Sequence, residues 1–256
     1  MTMSDADADR PKIIQVGEGF YVRQAVDNIA WIDLGEELLV IDALEPPELE
    51  AEVFAAIEST CPGKSVRYLL NTHTHYDHVA LNAAFVRRFG AEIVNQDITP
   101  LAPEGRWFEG SRRKAHMLPM PGCHTAEDCI VFVEPDEVLF VGDIFGWGCI
   151  PLIVNLRADT LRTLEETYAR LIGMNAKTVI PGHGPLCTTA ELGRWIDYLH
   201  SLIEQVKTLR QEGKDEGEIA SAILPPEDLR PWWRFLKWKH ADCVAKVLKA
   251  VRNNWV

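Results

Sequence analysis

One eight-residue run constrains this chain more than any other feature. Asn71-Thr72-His73-Thr74-His75-Tyr76-Asp77-His78 directly follows the apolar run VRYLL and, after Val79-Ala80, leads into LNAAFVRRF, whose apolar spacing and closing Gly90 predict a helix. The cluster is therefore expected in a loop at the carboxyl end of a buried strand. Imidazoles this close repel one another when protonated, and each costs desolvation if buried without a partner; a bound cation removes both penalties. In an extended loop, residues i and i+2 project the same way, so His73 and His75 can face one ion while the helix start turns Asp77 and His78 toward another. Neutral imidazole and carboxylate are donors that a borderline divalent ion such as zinc accepts.

Three later residues recur in one setting, a glycine-containing turn after a strand or apolar run. They are His124 in Pro121-Gly122-Cys123-His124, Asp143 in Val141-Gly142-Asp143, and His183 in Pro181-Gly182-His183-Gly184. Glycine lets the backbone turn sharply and removes the Cβ that would crowd an ion. Loops are thus expected to carry the site and strands to hold it. Adjacent side chains diverge, so Cys123 reads as structural rather than as a thiol ligand beside His124.

The rest of the chain supports a layered fold. Short apolar or alternating runs from Ile13 to Asp42, separated by turn residues, predict a four-stranded meander. ELEAEVFAAIEST predicts a helix stopped by Cys61-Pro62-Gly63, VRYLLN a buried strand, and AEIVN another behind the helix that ends at Gly90. Residues 97 to 114 read as irregular. CIVFVEP and EVLFVGD predict strands joined at Pro135-Asp136, followed by a helix at 159 to 173 and the strand KTVIPG. From Thr188 the chain is mostly helical, with one apolar stripe from Leu192 to Leu209 that stops at Gly213. Two successive rounds of strands then helices favour an α+β fold in which two sheets pack face to face with helices outside.

The pattern H-x-H-x-D-H at 73 to 78, the turn with His124, the Gly142-Asp143 pair and Pro181-Gly182-His183-Gly184 strongly resemble the metallo-β-lactamase fold superfamily, over about residues 13 to 187. The resemblance implies a four-layer αββα sandwich with metals at one edge of the sheets. It implies His73, His75 and His124 at a first metal, Asp77, His78 and His183 at a second, and Asp143 bridging both. Two zinc ions are the expected cofactors, with iron or manganese left open. Members often follow the histidine motif with Gly-Gly-Asn, where this chain has Val79-Ala80-Leu81-Asn82. Asp143 stands where β-lactamases proper tend to carry Cys or no ligand, and His75 where flavodiiron proteins tend to carry Glu. The full set looks most like glyoxalase II and lactonase-type hydrolases.

Two ions about 3.5–4 Å apart share a water and lower its pKa towards neutrality, which implies hydrolysis of a small ester-like substrate: a lactone, thioester, β-lactam or phosphoester. Asp77 would orient the nucleophile or shuttle its proton. Asp42, closing LLVID, reads either as a carboxylate that orients a ligand imidazole or as a helix cap before Pro46. Tyr76, Trp147, Trp232 and Trp233 are candidate pocket residues, although the Trp-rich stretch also reads as packing against the sandwich or a second subunit. Arg112-Arg113-Lys114 is a candidate for an anionic substrate group, or simply exposed. His116, His200 and His240 have no comparable partners and are left out of the site.

A net charge of −12 disfavours nucleic acid and points to a small-molecule partner. No apolar run approaches the roughly 20 residues of a membrane span. Six scattered cysteines without a C-x-x-C pair indicate neither disulfides nor a Cys-rich zinc site, so reduced thiols in cytoplasm are expected. The division expected is a frayed tail at 1–10 and one domain at 11–256, with 188–256 helical; a homodimer is left open. Two rival readings stand beside hydrolysis: a mononuclear iron persulfide dioxygenase and, further off, an RNA-processing nuclease.

Overall fold

The computed structural model describes residues 11–44, 47–147, 155–232 and 239–256. The expected tail therefore lies outside the described residues. The meander forms as expected: β1 (Lys12–Gly17), β2 (Phe20–Gln24), β3 (Ile29–Asp33) and β4 (Leu38–Ile41) pair antiparallel in sequence order. Helix α1 (Glu50–Thr60) then carries the chain back so that β5 (Val66–Leu70) lies parallel to β4. A short turn of helix, α2 (Tyr76–Val79), and α3 (Asn82–Phe89) do the same for β6 (Glu92–Val94), which completes a sheet of order β1-β2-β3-β4-β5-β6. Gly90 ends α3 in the left-handed region at φ 69°, where a glycine carries no Cβ penalty.

The second sheet has the order β11-β10-β9-β8-β7 and comprises β7 (Arg106–Glu109), β8 (Lys114–Pro119), β9 (Cys129–Glu134), β10 (Val138–Gly142) and β11 (Thr178–Pro181). Here one expectation fails, because residues 97 to 114 are not wholly irregular. They contain β7 and lead into β8, and neither strand was expected from the sequence. In β7 Phe108 alone is buried, while in β8 Lys114 and His116 interrupt the apolar pattern whose inward members are Ala115 and Met117. Such half-exposed strands, β7 at the sheet edge and β8 beside it, gain order from the ladders they join and from little of their own.

Helix α4 (Ala158–Gly173) connects β10 to β11 as a parallel pair. Helix α5 (Thr189–Gln211) opens on a capping box in which the backbone N–H of Ala190 donates to Thr188 Oγ1 and that of Thr188 to Glu191 Oε2, followed by α6 (Glu216–Ala222) and α7 (His240–Arg252).

Three apolar layers result. Phe20, Val22, Ile32, Leu39 and Ile41 from the first sheet meet Met117, Val131, Val133 and Phe140 from the second. Val53, Ile57 and Phe85 of α1 and α3 cover the first sheet's outer face, and α4, α5, α6 and α7 cover the second sheet's. The arrangement is the expected αββα sandwich. Each large apolar side chain buried there contributes about 1.5–3 kcal/mol, which offsets the burial of polar groups in the loops above. The crossovers α1, α3 and α4 all leave parallel strands by their carboxyl ends, and they therefore bring the loops after β4, β5, β10 and β11 to one edge.

Candidate metal centre

That edge gathers every ligand candidate. His73, His75, Asp77 and His78 follow β5, Asp143 follows β10, His183 follows β11, and His124 lies in the β8–β9 connection. They fall into two groups. In the first, His73 Nε2 and His124 Nε2 each lie 3.0 Å from His75 Nδ1. In the second, Asp77, His78, Asp143 and His183 bring one donor atom each within 4.8 Å of one another, as do the three histidines of the first. Asp143 touches both groups, with Oδ2 3.1 Å from His183 Nε2 and 3.5 Å from His124 Nε2.

This donor set fits a cation. His78 Nε2 and Asp143 Oδ1 are shut off from solvent and lack a hydrogen-bond partner, yet they lie 3.3 Å apart and face the same spot. Orphaned polar atoms that converge in this way are explained by an ion between them. Gly182 keeps the spot open, since a Cβ there would sit 2.2 Å from Asp143 Oδ1. Gly142, at φ 51°, is needed twice over: its Cβ would meet Thr72 Oγ1 at 2.5 Å.

The electrostatics call for positive charge. Burial and the neighbouring His78 hold the His73 imidazole down to about 2, so it presents a lone pair rather than a proton. Burial works against charge on His78 and His183, but Asp42 and Asp143 outweigh it at His78, and Asp143 with Asp27 and Asp77 outweighs it at His183. Both imidazoles are pushed up. Burial likewise opposes the Asp143 carboxylate, and His78 and His183 prevail, holding it well below the usual range.

The loops are pinned by residues outside the ligand set. Asp42, left-handed at φ 61°, accepts from the Thr72 backbone N–H at 2.8 Å and from Thr72 Oγ1 at 2.9 Å, and lies 2.8 Å from His78 Nδ1. Asp42 thus stands against the His78 ring and not at the start of α1, which begins beyond it, after Leu49. Asn71 donates to the His78 carbonyl and exchanges hydrogen bonds with Asn82, so the unusual Val79-Ala80-Leu81-Asn82 segment preserves the loop.

Sequence reasoning missed three anchors. Buried Asp128 accepts from the backbone N–H groups of His124 (2.6 Å) and Thr125 (2.9 Å) and so shapes the His124 turn. Asn28 donates to the carbonyls of Pro181 and Gly184, both at 2.8 Å, and Asp27 Oδ1 lies 3.0 Å from His183 Nδ1. A polar pair, Asp27-Asn28, interrupting apolar runs was the one available signal.

Other candidates sort differently. Tyr76 is 58% exposed at the rim, beside His75 and Asp77. Trp147 donates Nε1–H to the Pro185 carbonyl at 2.9 Å and packs edge-on against Trp232, with centroids 5.3 Å apart. Both indoles belong to the apolar layer under α4 and α5, so packing claims most of their surface. Trp233 lies outside the described residues. Arg112-Arg113-Lys114 is corrected: it sits at the end of β8 remote from His124, where Arg113 is buried in a two-pronged pair with Asp136 and Arg112 meets Asp33. Those charges are consumed structurally. Cys123 is buried and its thiol is pushed up to about 11 by desolvation, consistent with a structural role. His116 stacks on Trp107, His200 meets Glu165, and His240 lies 2.7 Å from the Tyr198 hydroxyl, all away from the cluster.

Comparison with known proteins agrees with this geometry. The family model for the metallo-beta-lactamase superfamily matches residues 25–122, which span β3 to the threshold of the His124 turn. The hydroxyacylglutathione hydrolase of Rhizobium etli is 28% identical over 185 residues, 67% of this chain and 70% of that protein. That of Mesorhizobium japonicum is 28% identical over 225 residues, 82% and 81% of the two chains. Among solved structures, a metallo-beta-lactamase from Pontibacter korlensis superposes with TM-score 0.60 at 19% identity, covering 73% of this chain and 98% of its own. A stereoselective inverting sec-alkylsulfatase from Pseudomonas sp. reaches TM-score 0.72 at 13% identity, covering 96% of this chain and 51% of its own. The structural likenesses concern the fold, while the sequence match and the named relatives concern the lineage. The fold is thus that of solved metallo-beta-lactamases, and the chain is similar in sequence to the metallo-beta-lactamase superfamily over residues 25–122 and to relatives named hydroxyacylglutathione hydrolase over two thirds or more of its length.

Proposed function

We propose that this chain is a dinuclear hydrolase of a small thioester, an acyl group carried on a low-molecular-weight thiol. The observation that carries the dinuclear reading is the Asp143 carboxylate, within 3.5 Å of a nitrogen from each donor group. His73, His75 and His124 would hold one ion and Asp77, His78 and His183 the other, with Asp143 between them. When bound, two zinc ions supply an acidified water and open positions that polarise a carbonyl oxygen. A mononuclear iron centre would leave one complete donor group without use. Among ester-like substrates, the thioester reading is supported by curated relatives named hydroxyacylglutathione hydrolase.

The residues divide the remaining work. His73 is nearly sealed from solvent and serves as a fixed donor, whereas the Asp77 side chain is 31% exposed and opens to the bulk. Asp77 is therefore the group that takes the proton of the attacking water and passes it to the departing thiolate as the C–S bond breaks, so that acid and free thiol leave together. Tyr76 stands beside it at the rim and would border the incoming acyl group.

Thiol release from a thioester panel, run beside a lactone, a β-lactam and an aryl phosphoester, tests the reading. Zinc-loaded protein is expected to turn over thioesters, and Asp77→Asn to lower kcat by about 10²–10⁴-fold. Cleavage of another class in preference to thioesters would overturn the substrate. One iron per chain with oxygen uptake on a persulfide would overturn the hydrolytic chemistry.

A further inference from the structure

The two donor groups are backed differently. His183 Nδ1 lies 3.0 Å from Asp27 Oδ1, and His78 Nδ1 lies 2.8 Å from Asp42 Oδ2, so both imidazoles of the second group have a carboxylate behind them. In the first group the His73 Nδ1 neighbour is a hydroxyl, Thr72 Oγ1, at 3.2 Å. Asp77 and Asp143 also belong to the second group, so four carboxylates lie on its donors or behind their rings; the first has three imidazoles, the far side of Asp143, and Asp128, whose carboxylate accepts from the His124 backbone N–H at 2.6 Å. The second group also holds the orphaned His78 Nε2 and Asp143 Oδ1.

A divalent ion is attracted by each negative charge, and a carboxylate behind an imidazole makes that imidazole a stronger donor and fixes which nitrogen faces the metal. Asp27 is well placed for this. Its backbone bridges that of His183, its side chain is only 10% exposed, and the neighbouring Asn28 clamps the same loop through the Pro181 and Gly184 carbonyls. The Val26 carbonyl also lies 3.0 Å from His183 Nδ1. The ring orientation therefore has a second support, and what Asp27 adds is charge.

We infer that the pocket formed by Asp77, His78, Asp143 and His183 takes up the first metal ion, and that Asp27 is the positioning residue that gives it this precedence through His183. The inference rests on the dinuclear reading above. It makes the three-histidine group the weaker, later-filled position and gives Asp27 a role in metal uptake.

Titration of metal-free protein with Co(II) in competition with a chelator, followed through the visible bands, tests this on the wild type and on Asp27→Asn, His75→Ala and His183→Ala. Asp27→Asn keeps the shape and an accepting oxygen while removing the charge. It is expected to weaken the first equivalent by about 10–100-fold and to leave the second unchanged. His183→Ala should abolish the first event, and His75→Ala should spare it and abolish the second. An unaltered first equivalent in Asp27→Asn, or loss of the first event in His75→Ala, overturns the inference while two-ion binding stands. The order of filling read from the two histidine variants decides the matter even if Asp27→Asn folds poorly. Failure of the wild type to bind ions overturns both this inference and the reading it rests on.

Discussion

Replacing Gly182 by alanine places one methyl group against the most crowded point of the metal centre. The added Cβ would lie 2.2 Å from Asp143 Oδ1, 2.9 Å from His78 Cε1 and 3.0 Å from the Gly142 carbonyl carbon. The backbone cannot retreat easily, because the Gly182 N–H donates to the Gly142 carbonyl and its own carbonyl accepts from Asn28, both at 2.8 Å. Carbon–oxygen contacts settle at about 3.3 Å or more, so Asp143 must move by roughly 1 Å. Displacing a reactive group by about that much costs on the order of 10²-fold in rate, or about 2.7 kcal/mol of barrier. The methyl also overpacks the loop, at about 1–3 kcal/mol of stability. Steady-state kinetics, metal content and thermal melts of Gly182→Ala check all three effects. Gly173→Ala is the control, since nothing lies within 4 Å of a Cβ at that helical position, and it should be neutral or mildly stabilising. Full metal occupancy and unchanged kcat in Gly182→Ala would refute the assignment of Asp143 as the shared ligand.

Asp42→Ala leaves the His78 ring and the Thr72 N–H without their buried acceptor, so chemical denaturation should show a loss of about 3–5 kcal/mol, accompanied by metal loss. Chelation should abolish turnover reversibly, with activity returning on addition of zinc while far-ultraviolet circular dichroism stays unchanged, because the sandwich layers are apolar and independent of the site. Asp33 supplies a pH test. Burial opposes its charge, but Lys64 Nζ at 2.5 Å and Arg112 at 3.1 Å prevail and lower its pKa. A depressed folded value means that the stabilisation is present above the unfolded carboxylate range, about pH 4, and is lost as pH falls through the folded value. Wild-type stability should consequently fall more steeply below pH 4 than that of Asp33→Asn in metal-free protein followed by urea titration; parallel curves would count against this pair.

The spacing His73-x-His75-x-Asp77-His78, together with glycine turns at His124, Asp143 and His183, made the donor set legible in advance, because metal ligation demands particular side-chain types at particular turns. The meander, the crossover helices and the helical stretch that begins at Thr188 were equally readable, as each is governed by local periodicity. Strands β7 and β8 were not, because their exposed residues dilute the pattern and their order comes from neighbours far along the chain. The arginine run showed the same limit. Its charge was evident, but Asp136 and Asp33, which neutralise it, are brought there by the hairpin's position in the sheet.

Sequence by itself determined which atoms this protein offers to a metal and, for every donor but His124, which strand would carry it. Tertiary structure alone decided which carboxylate stands behind which imidazole: Asp27 with His183, 156 positions away, and Asp42 with His78, 36 away. Donor chemistry is a property of each side chain, whereas the field a donor feels is set by residues that only the packing of two sheets brings within 3 Å of it.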